Sequence, residues 1–274
     1  MIVLLAGMSG CQRGVEQPAL TMTLATTTST RDSGLLEQLL PIFHAKTGIE
    51  VKVVAVGSGQ ALELGRRGDA DVLLTHAPEA EASFITEGAG IERQPIMHND
   101  FILVGPPRDP AEVRGMEDIV AALRQITDRG CLFISRGDES GTHLRERLLW
   151  KEAAVQPDSN HYLEVGSGMA ATLRMASEKA AYTLTDRGTF LAQRDALQLE
   201  LLVAGDVRLR NQYAVILVNP LRHPHVKLDA ARQFAAFLLS NETQAAIGEF
   251  GRDRWGEPLF FPERQTASFG RESL

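Results

Sequence analysis

Aromatic side chains make up only 6% of this 274-residue chain, and cysteine occurs just twice. So few aromatics argue against a stacking platform for nucleobases or sugars. There is no run of lysines and arginines, and 28 basic against 35 acidic residues leave a net charge of −7. That balance offers no surface able to track nucleic-acid phosphates. No apolar stretch approaches the ~20 residues that span a bilayer. Also missing are a Gly-x-Ser-x-Gly elbow, a Gly-x4-Gly-Lys-Ser/Thr phosphate loop and a His-Glu-x-x-His pair. The seven histidines are scattered, and His223 and His225 flank Pro224 in what reads as an exposed turn. No base–nucleophile pair stands out. On charge alone a small anionic ligand is disfavoured too, an inference that the loops described below oppose.

The 44% hydrophobic content and the length are ordinary for a globular protein. They suit one large domain or two lobes of roughly 100–150 residues. Residues 1–11 form an apolar segment with small residues before Cys11. This is similar to the lipobox of bacterial lipoproteins, where the cysteine carries the lipid. No Lys or Arg precedes the segment, and it is shorter than a usual export core. A lipidated Cys11 leaves Cys131 without a disulfide partner, so a disulfide framework is excluded. Cys131 lies in an apolar run that reads as core.

Short β-branched runs alternate with helical patterns. Strands are expected at Thr21–Thr26, Glu50–Val56, Asp71–Thr75, Phe101–Val104, Cys131–Ser135, Tyr162–Val165, Ala180–Thr185, Leu199–Val203 and Tyr213–Val218. Between them, Gly34–Thr47, Glu117–Arg129, Gly141–Glu152, Gly168–Lys179 and Leu228–Leu239 read as helices, with Pro41 predicting a kink or break in the first. This alternation predicts an α/β architecture with largely parallel sheets. An internal echo refines it. Gly57-Ser58-Gly59 recurs as Gly166-Ser167-Gly168, and each triplet leads through a helix-length segment to a Leu-Thr pair, Leu74-Thr75 and Leu184-Thr185. Each is also preceded by a hydroxyl-rich loop, Thr26–Ser29 in one half and Ser135–Thr142 in the other. Two similar α/β lobes account for this spacing, which is too long for a solenoid unit.

Four strand-to-helix turns then deserve weight: Thr26–Asp32, Gly57–Gln60, Ser135–His143 and Gly166–Met169. At the carboxyl ends of parallel strands such turns face ligand. Their backbone N–H groups lie at the positive end of a helix dipole and favour an anion. Glycines permit close approach, and Ser and Thr hydroxyls add donors without charge. Arg136 can fork onto two oxygens of a tetrahedral anion. Asp138 either pairs with Arg136, caps the following helix, or faces the ligand and accepts a proton from hydrogen phosphate. His143 reads as support for the site or as a surface residue.

Segments 24–34, 57–62, 135–143 and 181–187 together resemble the tungstate-binding proteins of ABC transporters, in the same order and over roughly residues 20–262. The resemblance implies a two-lobed periplasmic-binding-protein fold of type II, α/β throughout, with the ligand cleft between the lobes. It implies capture of tungstate, and possibly molybdate, for delivery to a permease with its ATPase, without catalysis and without a cofactor. Carried onto this chain, Thr28 and Ser29 would bind through hydroxyl and N–H, with Thr27 shaping their loop. Ser58 would join them from the same lobe. Arg136 would be the charged ligand of the other lobe, with Thr142 beside it and Gly168 and Met169 offering N–H donors. Tyr182 falls where related molybdate binders place a cleft tyrosine, though it reads equally as core.

The layout expected is an export segment and tether over residues 1–20, a first lobe over 21–104 and 213–264, a second over 105–212, and a tail over 265–274. Hinge segments are expected near Phe101–Gly105 and Asn211–Val215. A monomer outside the cytoplasm, anchored to a membrane if Cys11 is lipidated, completes the expectation. The rival readings are a phosphate-binding transport protein, an enzyme acting on a phosphorylated metabolite, and a ligand-sensing module.

Overall fold

The computed structural model describes residues 20–138, 140–155 and 157–263. Cys11 and the proposed tether lie outside the described residues. Among the described residues, ten strands and eleven α-helices follow one another, first as β1 (Thr21–Thr27), α1 (Thr28–Asp32), α2 (Leu35–Thr47), β2 (Glu50–Val56), α3 (Ser58–Arg67), β3 (Val72–Thr75), α4 (Pro78–Thr86) and β4 (Gly90–Gly105). Then come α5 (Ile119–Asp128), β5 (Phe133–Ser135), α6 (Gly141–Ala153), β6 (Tyr162–Glu164), α7 (Met169–Glu178), β7 (Thr183–Asp186), α8 (Arg187–Gln193) and β8 (Glu200–Val203). The chain returns through β9 (Arg210–Val218), α9 (Leu228–Leu239), α10 (Asn241–Glu249), α11 (Arg252–Trp255) and β10 (Phe261–Pro262).

The first lobe is built on the sheet order β10-β4-β9-β3-β1-β2. Strands β1, β2 and β3 run parallel, with Thr27 opposite Val56 and Thr26 opposite Leu74. Strand β9 is antiparallel to both β3 and β4. The sheet is therefore mixed, not largely parallel, because the chain leaves this lobe along β4 and re-enters it along β9 in the opposite sense. Strand β4 pairs with β9 from Gly90 to Asp100, then with β7 from Phe101 to Val104, so one strand serves both lobes. Its first half carries Glu92, Arg93, Gln94 and Pro95 and lacks an apolar run, which is why Phe101–Val104 alone reads as strand from sequence.

The internal echo has a structural counterpart. In the first lobe β1 lies between β2 and β3; in the second, β5 lies between β6 and a bridge to Tyr182. Both sets are parallel, and Thr27↔Val56 is matched by Ser135↔Glu164. Apolar side chains of α2 and α9, among them Leu35, Leu39, Phe43, Phe234 and Phe237, fill one face of the first sheet. Helix α2 continues without a break through Pro41, whose ring is exposed. In the second lobe Phe133, Trp150, Leu123 and Tyr182 share one core cluster. Cys131 is half-buried at its margin instead of inside it, and burial pushes its thiol up. His223 and His225 are not a free turn: their Nε2 atoms donate to the carbonyls of Arg66 and Gly68, closing the end of α3.

One buried ion pair fixes the turn after β3. Glu81 is fully buried, accepts from Thr75 Oγ1 at 2.8 Å and Ala77 N at 2.9 Å, and receives two bonds from Arg93 at 2.8 and 2.9 Å. Breaking one side of such a pair strands a charge away from water. Arg93→Ala is expected to cost about 3 kcal/mol. Urea denaturation reads that cost as a lower midpoint, and an unchanged midpoint would show the pair dispensable.

Candidate functional site

At the carboxyl edge of the first sheet three turns converge: β1 into α1, β2 into α3, and β3 into α4. Thr27 caps α1, its Oγ1 accepting from Thr30 N at 3.2 Å and lying 2.6 Å from Thr30 Oγ1. It is buried, so it shapes the loop, while Thr28 and Ser29 are exposed at its rim. Thr27 Oγ1 is 3.0 Å from Ser29 Oγ, and Ser29 Oγ is in turn 3.5 Å from His76 Nε2. Ser58 opens α3 beside them, and its N-cap is Gly57, which has no side chain to occupy the first-turn N–H groups. Those donors are left for a ligand.

The second lobe repeats the arrangement with a charge added. Val165 N and Gly166 N donate to the carbonyls of Ser135 and Arg136, zipping the Arg136 loop to the Gly166–Gly168 turn. Gly137 has φ +62, and a Cβ there would stand 2.8 Å from Glu164 Cβ, so the loop needs glycine at this point. Helix α6 is capped by Ser140, with Thr142 buried in its first turn. Helix α7 starts at Met169 after Gly168, again without a side-chain cap. The Met169 side chain belongs to the core, so only its N–H faces the turn.

Asp138 is held inward by its own loop. Its Oδ2 accepts from Arg136 Nε at 2.7 Å and its Oδ1 from Ser140 N at 3.2 Å. Burial works against the charged carboxylate, but Ser140 and the Arg136 guanidinium outweigh it and hold the carboxyl below its usual range. Of the readings open in the sequence, the structural pair is the one observed. The pairing at Nε also sets the plane of the guanidinium.

Two other expected residues are placed differently from one another. His143 is buried in the first turn of α6, with Nε2 3.8 Å from Glu164 Oε1, behind the loop as support. Tyr182 is core, not cleft: it is fully buried, donates to Asp109 Oδ1 at 2.7 Å and accepts from Ala111 N at 2.8 Å. A strand bridge to Phe133 forces its ring into the interior of the second lobe.

Several polar residues around the site had no motif to announce them. Asn99 on β4 and Asn211 on β9 are register partners, joined by Asn211 Nδ2 to Asn99 Oδ1 at 2.8 Å. His76 Nδ1 lies 3.0 Å from Asn211 Oδ1, and its ring stacks on Tyr213 at 4.7 Å. The available signal was positional: His76 and Asp186 each follow the echoed Leu-Thr pair. Beneath the Arg136 loop, Glu146 accepts from Ser135 Oγ at 3.0 Å, Trp150 Nε1 at 3.2 Å and Tyr162 OH at 2.7 Å. Among the described residues no group of His, Cys, Asp and Glu is suited to holding a metal ion.

Two lobes joined by crossing strands, each presenting hydroxyl and N–H donors at its sheet edge, define an oxyanion-binding solute receptor. A family model described as a PBP superfamily domain matches residues 14–242. A tungstate-binding protein TupA from Peptoclostridium acidaminophilum is 50% identical over 241 residues, covering 87% of this chain and 84% of that protein. Another from Campylobacter jejuni is 36% identical, covering 87% and 89%. The structure of the tungstate-binding protein TupA from Desulfovibrio alaskensis G20 superposes with a TM-score of 0.87 at 43% identity, covering 90% of this chain and all of that one. The chain belongs to the TupA family of tungstate-binding proteins, within the PBP superfamily.

Burial pushes Glu146 up to about 7, against the pull of its three donors and helped by Glu164. The folded chain therefore keeps a proton there that the unfolded chain, near its ordinary 4.5, has released. Stability falls as pH rises through that window and levels off above it, by about 3 kcal/mol in all. Glu146→Gln is expected to abolish this slope in denaturation experiments from pH 4.5 to 7.5. A constant difference from the unsubstituted protein across the range would overturn the assignment.

Proposed function

We propose that this chain captures tungstate, and molybdate with it, between its two lobes and hands the anion to an ABC-transporter permease with its ATPase. The observation that carries the reading is the doubled donor set: uncapped helix starts in both lobes and one arginine whose neighbouring carboxylate is already engaged. Burying a dianion is costly unless its oxygens are hydrogen-bonded. Thr28, Ser29 and Ser58 would serve it from one side. Arg136, Thr142 and the N–H groups at Gly168 and Met169 would serve it from the other. Thr27 and His143 would hold these loops in shape without touching the ligand. The tungstate-binding names of its relatives support the same ligand.

Selectivity against phosphate follows from Asp138. Its oxygens bond Arg136 Nε and Ser140 N within the loop, which draws the carboxylate away from the proton of a hydrogen phosphate. Selectivity against sulfate would come from cavity size, since tungstate has the longer metal–oxygen bonds. The role is binding without turnover, as a monomer on the far side of the cytoplasmic membrane. Among the described residues no helix is long and apolar enough to cross a membrane; a lipid on Cys11 would supply an anchor. Closure about β4 and β9 would trap the anion.

Calorimetry with tungstate, molybdate, sulfate and phosphate tests the proposal, with saturable binding expected for the first two only. Phosphate binding without a tungstate response would overturn it. Arg136→Ala is expected to weaken tungstate binding at least about tenfold, or ~1.4 kcal/mol, and an unchanged affinity would remove Arg136 from the site.

A further inference from the structure

His76 lies where the first lobe's donor loop meets the two crossing strands. Around it stand Ser29 from α1, Glu81 from α4, Asn99 from β4, Asn211 and Tyr213 from β9, and Asp186 from the second lobe. Glu81 is already committed to Arg93, and Asp186 is fixed by Thr189 N at 2.8 Å and Thr189 Oγ1 at 2.7 Å. The Asn211 amide nitrogen is spent on Asn99 Oδ1, so its Oδ1 is the acceptor facing the imidazole. His76 Nδ1 therefore carries a hydrogen, and in the neutral ring Nε2 holds a lone pair directed toward Ser29 Oγ.

That lone pair competes for the hydroxyl proton an oxyanion needs. With the ring neutral, Ser29 can donate to His76 and turn its own lone pairs to the cleft. With the ring protonated, Nε2–H donates to Ser29 Oγ and frees the hydroxyl proton for an anion oxygen. We propose that His76 is the positioning residue of Ser29, and that it takes a proton from solvent onto Nε2 when a dianion enters the cleft. The inference rests on the oxyanion-binding reading above.

The free protein is set up for that uptake. Burial, the largest influence, holds the imidazole below its ordinary value, while the Asn211 bond, Glu81 and Asp186 partly oppose it. His76 is thus neutral near pH 7 before binding. A dianion next to Ser29 adds negative charge within a few ångströms and favours the imidazolium. The binding constant then becomes proton-linked and falls as pH rises, approaching tenfold per pH unit in the linked range. It also gives the Ser29 loop a neighbouring cation that is absent from the resting protein.

The test is tungstate calorimetry at pH 7.5 in buffers of different ionisation enthalpy, where tungstate itself is fully deprotonated. The expected result is uptake of up to about one proton per tungstate by the unsubstituted protein. His76→Gln, which keeps hydrogen-bonding capacity without titrating, is expected to bind several-fold more weakly, with no uptake and a flat pH profile. Histidine Cε1 chemical shifts in the unsubstituted protein, with and without tungstate, report the ring's charge independently of any variant. Tungstate binding without proton uptake, or equal uptake by His76→Gln, would overturn the role of His76 and leave the ligand assignment standing. Absence of any tungstate binding would overturn both.

Discussion

The antiparallel ladder between β4 and β9 is the constraint on which both lobes depend. It runs through the middle of the first sheet, and the same β4 strand continues into the second lobe to pair with β7 and β8. Among the described residues two strands cross, β4 and β9, so the lobes share a backbone connection and little else that is regular. The polar side chains that the ladder aligns, Asn99 against Asn211 with Tyr213 beside them, are buried and mutually bonded. Arg187 adds a tie at the same level, bonding Asp100 at 3.2 Å and Glu257 at 2.6 Å. A hinge built from two strands can bend without breaking a core, because each lobe keeps its own apolar clusters.

The net charge of −7 describes the exterior, not the site. Long-range attraction of a dianion is weak for such a surface, and salt screens it within about 10 Å. In the proposed binding mode, what counts at the cleft is short-range: N–H groups at uncapped helix starts, hydroxyls held by neighbours, and one guanidinium. Keeping Asp138 folded back on Arg136 lets an acidic group sit two residues from the anion loop's cation without presenting its carboxylate outward. Neutral donors also discriminate by shape and proton content, which bulk charge cannot do.

Much of this arrangement is legible in the chain. The Gly-Ser-Gly echo and the Leu-Thr pairs anticipate matched strand–turn–helix–strand units, because the same local geometry needs the same small residues at the same turns. The strands β1 and β2, with continuous β-branched runs, are read to within one residue, while β9 is read from Tyr213 and loses its polar start Arg210–Gln212. Strand β4 is mostly missed, since Glu92, Arg93 and Pro95 give no alternation that marks a strand. Tyr182 is ambiguous from sequence because a tyrosine suits a cleft and a core equally. Its burial is decided by the hydroxyl's two partners, Asp109 and Ala111, more than seventy residues away.

By itself the sequence determined the α/β class, the two echoing halves and the hydroxyl- and glycine-rich loops, all of which follow from local spacing and residue type. Tertiary structure alone decided the sense in which the strands cross, the burial of Tyr182 and the meeting of His76 with Ser29, Asn211 and Tyr213. Those contacts join residues far apart along the chain, and no local pattern encodes them. The His76 cluster arises because β1, β3 and β9 are neighbours in one sheet, which brings their ends to a single edge.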